Sequence, residues 1–221
     1  MNQTKKHLRR TKLAKRNALS EKAHKTKSRQ IKQRLFSLQD FKKAKTIAFF
    51  YGIRKEVHTA HMIQDALNAG KRVLLPRCAY EKKEMHLLEI KSLNDLEKRK
   101  FGLMEPKGRC KKAGLKEIDL IIVPAVAFDL DGHRIGYGHG YYDRLLRRKE
   151  CKAKIIGLCF ELQLVKKLPI EKHDVAVDKI ITEKRAINSE LRRMNKLIAW
   201  LIMLYSWFLS QFENDSERSK K

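Results

Sequence analysis

Residues 118–146, "IDLIIVPAVAFDLDGHRIGYGHGYYDRLL", contain the features that decide the fold. The apolar residues from Leu120 to Val123 form an unbroken run, as expected of a strand that is covered on both faces. A loop then follows with glycines at positions 132, 136, 138 and 140, and a helix is expected from about Tyr141. A buried strand, a glycine-rich loop and a helix in this order indicate an α/β layer structure with parallel strands.

The segments on either side of this stretch alternate between strand and helix patterns. Short apolar runs predict strands at residues 46–52, 71–76 (where Pro76 ends the strand), 85–90, 118–129, 153–160 and 178–187. Helical spacing predicts two helices within residues 5–38, and others at 58–69, from 141, and near 161–167. Ser20 is the expected cap between the first two helices. We therefore predict one α/β domain over residues 1–188 with a mostly parallel sheet.

The chain is strongly basic, because 51 Lys and Arg residues face only 25 Asp and Glu residues, for a net charge of +26. Such a surface attracts nucleic acids, anionic membranes, nucleotides and poly-acidic small molecules. The charge is densest from Lys5 to Lys45, where Glu21 and Asp40 are the acidic residues. A charge run is also often no more than a solvated helix face, and that interpretation stays open.

Cysteine spacing and the N-terminal sequence point to a cytoplasmic protein. Cys78, Cys110, Cys151 and Cys159 lie far apart without a C-x-x-C pair, which favours neither a zinc site nor a disulfide framework. The chain starts with many charges and no apolar run follows them, so no secretory signal is expected. We expect free thiols.

Residues 189–221 form an extension of different character. The run "LIAWLIMLYSWFL" at residues 197–209 is apolar apart from Ser206, and predicts a hydrophobic helix. A membrane-spanning helix needs about 20 apolar residues, with a lower limit near 17. A buried or partner-docking helix, an interfacial membrane anchor and a true span all remain open, since Arg192, Arg193 and Lys196 flank the run and it contains both tryptophans.

The glycine loop is suited to phosphate. Backbone N–H groups without neighbouring Cβ atoms can donate several hydrogen bonds to phosphate oxygens, and Arg134 and His139 could add positive charge. The spacing fits neither a P-loop nor a dinucleotide fingerprint, so a plain tight turn stays an alternative. Asp143 lies just past the loop, where a carboxylate could share a magnesium ion with phosphate oxygens.

The string "DGHRIGYGHGYYDR" at residues 131–144 strongly resembles the signature of the 5-formyltetrahydrofolate cyclo-ligases, also called methenyltetrahydrofolate synthetases. Four further segments are similar to that family in the same order: "KKHLRRTKLAKRNALS" at 5–20, "FFYGIRKEVHT" at 49–59, "LLPRC" at 74–78 and "IGLCFELQLVKKLPIEKHDVAVDKIITE" at 156–183. The resemblance covers about residues 5–187. It implies a three-layer α/β/α fold.

The resemblance also implies a reaction. ATP and Mg²⁺ would drive the conversion of 5-formyltetrahydrofolate, with or without a polyglutamate tail, to 5,10-methenyltetrahydrofolate, with release of ADP and phosphate. Such chemistry requires positioning and charge stabilisation rather than a nucleophile. This agrees with the lack of a Ser/His/Asp or Cys/His constellation in the sequence.

The resemblance assigns roles to named residues. The expected ATP-binding residues are Lys5, Lys6, His7, Leu8, Arg9, Arg134, Ile135, Gly136, Tyr137, Gly138, His139, Gly140, Tyr141 and Tyr142, with Lys5 and Arg9 on the phosphates. The expected folate-binding residues are Tyr51, Glu56, Met85 and Phe101, and the expected magnesium ligands are Asp143 and Asp174. Arg134 and Tyr142 would position the reacting groups and stabilise charge.

Two other functions remain alternatives. The basic charge suits a nucleotide- or nucleic-acid-binding protein, and the extension suits an inactive relative that acts through its tail. Aromatic–basic RNA-binding motifs and a helix-turn-helix pattern are missing from the sequence, so we expect no specific nucleic acid partner. We expect a monomeric ligase.

Overall fold

The computed structural model of the chain describes residues 4–218, with side chains as far as residue 204. Its strands are β1 Thr46–Ala48, β2 Arg72–Ala79, β3 Glu84–Ile90, β4 Leu96–Lys98, β5 Met104–Pro106, β6 Leu120–Pro124, β7 Ala127–Asp129, β8 Arg134–Ile135, β9 Lys154–Leu158, β10 Leu164–Val165, β11 Lys179–Ile181 and β12 Ala186–Asn188. Its α-helices are α1 Lys5–Asn17, α2 Glu21–Ser37, α3 Gln39–Lys43, α4 Ala60–Asn68, α5 Tyr141–Leu146 and α6 Ser189–Arg218.

A seven-stranded sheet forms the centre of the fold, in the order β12-β11-β9-β6-β1-β2-β3. The five inner strands, from β11 to β2, run parallel to their neighbours, while β12 and β3 close the two edges in antiparallel pairing. A three-stranded sheet of β10, β7 and β8 and the β4–β5 hairpin are separate from it. The predicted α/β class with a mostly parallel sheet is confirmed.

Helices cover both faces of the central sheet because side chains alternate along each strand. In β6, Leu120 and Ile122 pack in one core with side chains from α2, α3 and α4. Ile121 and Val123 pack in the opposite core with the α5 residues Leu145 and Leu146. The three-layer α/β/α architecture is therefore confirmed.

The interpretation of residues 118–129 as one strand is wrong. The chain leaves the central sheet after Pro124, and β7 belongs to the three-stranded sheet. The side-chain amide of Gln163 donates hydrogen bonds to the backbone oxygens of Ala125 and Val126, at 2.8 and 3.1 Å, and so satisfies carbonyl groups that a continuous strand would pair. The break sends the following loop across the end of the sheet.

Three other predicted elements differ from the structure. No α-helix forms near residues 161–167, because a 3₁₀ turn and the two-residue strand β10 take its place, with β10 paired to β7. Strand β2 continues through Pro76 to Ala79. Beyond Leu74 it pairs with β3 alone, so its other edge has no neighbouring strand that would need the N–H group that proline lacks. The predicted strand at 178–187 is the hairpin of β11 and β12.

Helix α6 contains the predicted hydrophobic helix and starts against the domain. Arg193 Nη1 donates hydrogen bonds to the backbone oxygens of Asp131 and Val177, at 2.6 and 2.9 Å. The interpretation as a buried helix is wrong for the part whose side chains are described, because its apolar residues from Leu197 to Leu204 are 44–63% exposed. Within the residues that the structure describes, no helix is long and apolar enough to span a membrane.

Candidate active site

A cavity of about 880 Å³ opens at the carboxyl ends of β1, β2 and β6. Ligands of open α/β sheets collect at this edge, because the loops that leave the strands meet there. The cavity walls include every expected site residue apart from Lys6, His7 and Leu8; they are Lys5, Arg9, Tyr51, Glu56, Met85, Phe101, Arg134, Ile135, Gly136, Tyr137, Gly138, His139, Gly140, Tyr141, Tyr142, Asp143 and Asp174. Residues that lie far apart in the sequence are thus brought to one place.

Helix α1 presents Lys5 and Arg9 to the cavity, since residues four apart lie on the same helix face. Arg9 Nε donates a 2.8 Å hydrogen bond to the backbone oxygen of Gly136 in the glycine loop. The other three expected residues of this segment do not line the cavity. Lys6 and His7 are exposed to solvent, and Leu8 is buried in a small apolar core with Ile135 and Leu168.

The glycine loop, residues 136–140, has free hydrogen-bond donors. The backbone N–H groups of residues 137–140 donate no hydrogen bond within the described residues. Gly138 has φ +105°, and a Cβ at this position would lie 3.8 Å from Arg9 Nη2, in the space where an anion would meet that guanidinium. Free N–H groups next to a guanidinium are a donor set that suits an anion such as phosphate. Helix α5 is only one and a half turns long, so the expected contribution of its dipole is small.

Buried Arg134 packs with half-buried Tyr142 and Asp143 beside the loop. Arg134 Nη2 donates a 2.8 Å hydrogen bond to Asp143 Oδ1, and its guanidinium lies over the Tyr142 ring at 5.8 Å. Arg134 Nε is buried without a hydrogen-bond partner in the described residues, which leaves a donor for an anion. Burial raises the pKa of Tyr142, so its phenol stays neutral and can donate a hydrogen bond.

Asp174 enters the cavity from the segment after β10. Lys5 Nζ lies 2.9 Å from Asp174 Oδ2 and 3.0 Å from Glu171 Oε1. Burial works to raise the pKa of Asp174, but the hydrogen bond and charge of Lys5 outweigh it and leave the pKa below its usual value. The carboxylate is therefore ionised at neutral pH.

Two carboxylates could hold a divalent cation here. Asp143 Oδ2 and Asp174 Oδ1 accept no hydrogen bond within the described residues, and the backbone N–H of Val175 lies 3.5 Å from Asp143 Oδ1. In the same part of the chain, no group of three metal-ligating side chains occurs. Two carboxylate oxygens fit magnesium, which takes one or two protein carboxylates and completes its shell with phosphate oxygens and water.

The cavity also contains the expected folate residues, and two of them contact the glycine loop. Glu56 is buried, and its carboxylate accepts hydrogen bonds from Tyr137 Oη at 2.9 Å and from the Ile53 backbone N–H at 3.2 Å. Burial raises the pKa of Glu56, and the positive charge of Arg16 is the largest effect that opposes this rise. Met85 is buried in β3, while Tyr51 is half-buried where the chain leaves β1.

Phe101 stands at the mouth of the cavity in a strained turn. Its φ is +62° and its side chain is 69% exposed, although it is a large apolar residue. Its ring stacks on that of His139 with a centroid distance of 6.3 Å and an interplanar angle of 24°. The contact joins the glycine loop to the turn between β4 and β5, across the opening.

Sequence reasoning missed several residues of the site. Glu105 is buried in the wall, where it accepts a 2.8 Å hydrogen bond from Tyr80 Oη. Arg144 Nη2 donates to the His139 backbone oxygen at 2.9 Å and steadies the glycine loop. Arg16 is buried next to Glu56. Their signals were weak, because each is one charged residue in a segment that has many others.

Comparison with known proteins gives the same assignment as the motifs. The model of the 5-formyltetrahydrofolate cyclo-ligase family matches residues 1–183. The chain belongs to the 5-formyltetrahydrofolate cyclo-ligase family. The predicted family and the predicted enzyme class, a cyclo-ligase, are both confirmed by these matches.

Named cyclo-ligases are similar over most of their length. The 5-formyltetrahydrofolate cyclo-ligase of Mus musculus is 30% identical, with 75% of this chain and 87% of that protein covered. The one from Haemophilus influenzae is 34% identical, with 68% and 82% covered. The solution structure of 5,10-methenyltetrahydrofolate synthetase from Aquifex aeolicus matches with a TM-score of 0.75 at 36% identity, covering 84% of this chain and 92% of that one.

Proposed function

We propose that this cyclo-ligase converts 5-formyltetrahydrofolate to 5,10-methenyltetrahydrofolate and uses one ATP, which leaves as ADP and phosphate. One observation carries the proposal. The glycine loop with its free N–H groups, two cationic side chains of α1 and the buried Glu56 all line a single cavity of about 880 Å³. A nucleotide and a folate could therefore meet there with their reactive groups in contact.

The proposed chemistry balances without a protein nucleophile. The formyl oxygen attacks the γ-phosphorus of ATP, and ADP leaves. The phosphorylated oxygen is now a good leaving group, so N10 of the folate closes on the formyl carbon, the C–O bond to phosphate breaks, and the N10 proton leaves with the phosphate or to solvent. The protein contributes the alignment of the two substrates and positive charge around the phosphoryl group.

The cavity residues divide between these tasks. We assign the phosphates to the glycine loop, to Lys5 and to Arg9, which already contacts that loop. Arg134 offers the free Nε described above, and Tyr142 is held beneath its guanidinium. Glu56 would accept hydrogen bonds from the N–H edge of the pterin, while Tyr51, Met85 and Phe101 would wall its ring.

Magnesium would be held by Asp143 and Asp174. A divalent cation supplies charge neutralisation for the phosphate oxygens during transfer. Arg134 pairs with Asp143 and Lys5 pairs with Asp174, and both carboxylates line the main cavity.

The test is turnover of 5-formyltetrahydrofolate with Mg-ATP, followed by the near-ultraviolet absorbance of the methenyl product. We expect activity in the unaltered protein and its loss in Asp143→Ala or after chelation of divalent cations. Asp65→Ala is a matched control, since this carboxylate is 44% exposed on α4 and outside the cavity. Folded protein without turnover would contradict the proposal.

A basic groove next to the cavity would take a polyglutamate tail. A second cavity, of about 480 Å³, shares Lys83, Met85, Tyr141 and Arg144 with the first. Lys82, Arg147 and Arg148 also line it, against Glu84 as the acidic residue among its lining side chains. Five cationic side chains next to Met85, an expected folate residue, would bind and steer the tail carboxylates.

This groove predicts a salt-dependent preference for long tails. We expect the ratio of KM values for mono- and triglutamate substrates to fall as salt rises, because exposed charges are screened. Arg147→Gln with Arg148→Gln should lower the same ratio. Lys149→Gln with Lys152→Gln removes equal charge from exposed positions outside both cavities and should leave it unchanged. A ratio that is insensitive to salt would rule the groove out.

Helix α6 is proposed to lie on an anionic lipid surface, while the domain is a cytoplasmic monomer. Its described apolar side chains are exposed on all sides, and Arg192 and Lys196 precede them with positive charge. Trp200 is 52% exposed, and tryptophan favours the membrane interface. A helix with such flanks can bury its apolar side chains at the level of the lipid headgroups without spanning the bilayer.

A further inference from the structure

Arg16 is a buried cation that the proposed mechanism does not use. It lies in the last turn of α1 and is 1% exposed. Its Nη2 donates a 2.7 Å hydrogen bond to Tyr137 Oη, and its Nη1 lies 3.7 Å from Glu56 Oε1. Its Nε and Nη1 have no hydrogen-bond partner in the described residues. Burying a guanidinium with unsatisfied donors is unfavourable, so a nearby anion must compensate for it.

The Tyr137 hydroxyl links Arg16 to Glu56, which is an expected folate-binding residue. It accepts a hydrogen bond from Arg16 and donates one to Glu56 Oε1, at 2.9 Å. A phenol hydroxyl has one proton, so both bonds can form only in this direction. Three segments are joined as a result: helix α1, the glycine loop and the loop that follows β1. Arg16 itself is not among the residues that line the main cavity.

We propose that Arg16 is a positioning residue that couples the nucleotide loop to the folate-binding carboxylate. Through Tyr137 it fixes the glycine loop, and through its charge it keeps Glu56 ionised and oriented for the pterin. The inference rests on the proposed function, in which Glu56 contacts the folate. Arg9 and Arg16 are seven residues apart and therefore lie on one face of α1, from which both hold the same loop.

The surroundings of Glu56 explain why one arginine is decisive. The groups that face it are Arg16 from α1, His24 from α2, Arg54 from its own loop, Tyr137 from the glycine loop and Tyr142 from α5. His24 Nε2 contacts the Glu56 backbone oxygen, at 2.6 Å, rather than the carboxylate. Burial raises the pKa of Glu56, and the charge of Arg16 is the largest effect that lowers it.

The coupling makes the pH profile of folate use depend on Arg16. Activity that needs ionised Glu56 is lost as the pH falls through the pKa of this carboxyl. Removing Arg16 raises that pKa further, so the acid limb of kcat/KM moves to higher pH. The hydrogen bond from Tyr137 also lowers the pKa of Glu56, and its loss should act in the same direction.

The experiment measures kcat and KM for 5-formyltetrahydrofolate from pH 5 to 9 at saturating Mg-ATP. For Arg16→Gln we expect the folate KM at pH 7 to rise by about tenfold or more, an acid limb at higher pH, and a much smaller change in kcat. Arg16→Lys should recover part of the loss. Arg10→Gln, at an exposed position of the same helix, should behave as the unaltered protein.

Two further variants separate the possible failures. Glu56→Gln should abolish the acid limb, and adding Arg16→Gln to it should raise the folate KM no further. If Glu56→Gln is impaired while Arg16→Gln lowers only the melting temperature, Arg16 is merely structural and the inference is wrong. If Glu56→Gln keeps the normal KM and profile, the folate contact itself is wrong and the inference falls with it. If Arg16→Gln does not fold, Tyr137→Phe is the variant to measure, because it removes the hydroxyl that joins Arg16 to Glu56. An acid limb that does not move in Tyr137→Phe would overturn the inference.

Discussion

Gly157 lies under an aromatic ring, at the place where the small sheet meets the central one. It is in β9, and a Cβ there would come within 2.5 Å of Phe128 Cζ. Phe128 is fully buried in β7, so its ring cannot move aside without opening the core. The absence of a side chain at Gly157 allows the two sheets to approach each other.

We predict that Gly157→Ala destabilises the protein by about 1–3 kcal/mol, because overpacking forces the ring or the backbone to shift. The free energy of unfolding in urea measures this. Gly136→Ala is the control, since nothing lies within 4 Å of its Cβ position and no stability should be lost. Adding Phe128→Leu to Gly157→Ala should recover part of the loss, and a purely additive result would contradict the packing argument.

Single residues of the site were predictable where a motif marked them. Asp143 and the glycines stand in one short string, and the resemblance also led to Glu56 and Asp174. Arg16 was hidden, because it is one of many cations between Lys5 and Lys45 and its burial depends on packing between distant segments. The resemblance singled out Lys5 together with Arg9, and both line the cavity, whereas Lys6, which was also expected at the nucleotide, is exposed.

The glycine loop acts as one element whose shape is set by its backbone. Gly138 and Gly140 both have positive φ, at +105° and +64°, which side chains rarely tolerate. Arg9 and Arg144 hold the loop by hydrogen bonds to the backbone oxygens of Gly136 and His139. The N–H groups between these two contacts are thereby left free for a ligand.

We predict that Gly138→Ala raises the KM for ATP roughly tenfold, since a strained φ of this kind costs about 1–3 kcal/mol and the loop would relax away from its binding shape. Initial rates at varied Mg-ATP measure it. Gly70→Ala is the matched control, because Gly70 has φ +72° with open space around it, at the end of α4. It should lose stability without any change in the KM for ATP; equal KM values for both variants would refute the loop argument.

Helices and strands were predictable from the sequence where the local residues alone determined the structure. The inner strands read as unbroken apolar runs, and Ser20 caps α2 as expected, with its side chain accepting a hydrogen bond from the Ala23 N–H. The two-residue strands β8 and β10 were not predictable, since each exists only by pairing with β7. The break after Pro124 likewise depends on Gln163, which is 39 residues farther along the chain.

For the whole molecule, the decisive prediction concerns α6. We expect the full chain to sediment with vesicles that contain anionic lipids, because apolar burial and the +26 charge act together. A chain that ends after Lys196 keeps the contacts of Arg193 with the domain and should stay in solution with unchanged folate turnover. Sedimentation assays with and without vesicles measure this.

The control for the truncation is a point variant that leaves α6 at its full length. Leu201→Glu places a charge in the exposed apolar part of the helix and should weaken vesicle binding as much as the truncation does. A full chain that stays in solution as a dimer, and becomes a monomer on truncation, would instead show that the helix pairs with a second copy. That result would contradict the membrane proposal.

The contacts of α1 also determine the order in which the molecule is completed. Lys12 donates hydrogen bonds to the backbone oxygens of Leu162 and Leu164, and Lys5 reaches Asp174, 169 residues away. Synthesis runs from the N-terminus to the C-terminus, so α1 emerges well before the segments that dock it. Helix α1 therefore stays undocked until those segments are made, and the part of the cavity that Lys5 and Arg9 line is completed late in biosynthesis. A chain that ends before Asp174 would thus lack a complete cavity, however well its central strands had already formed.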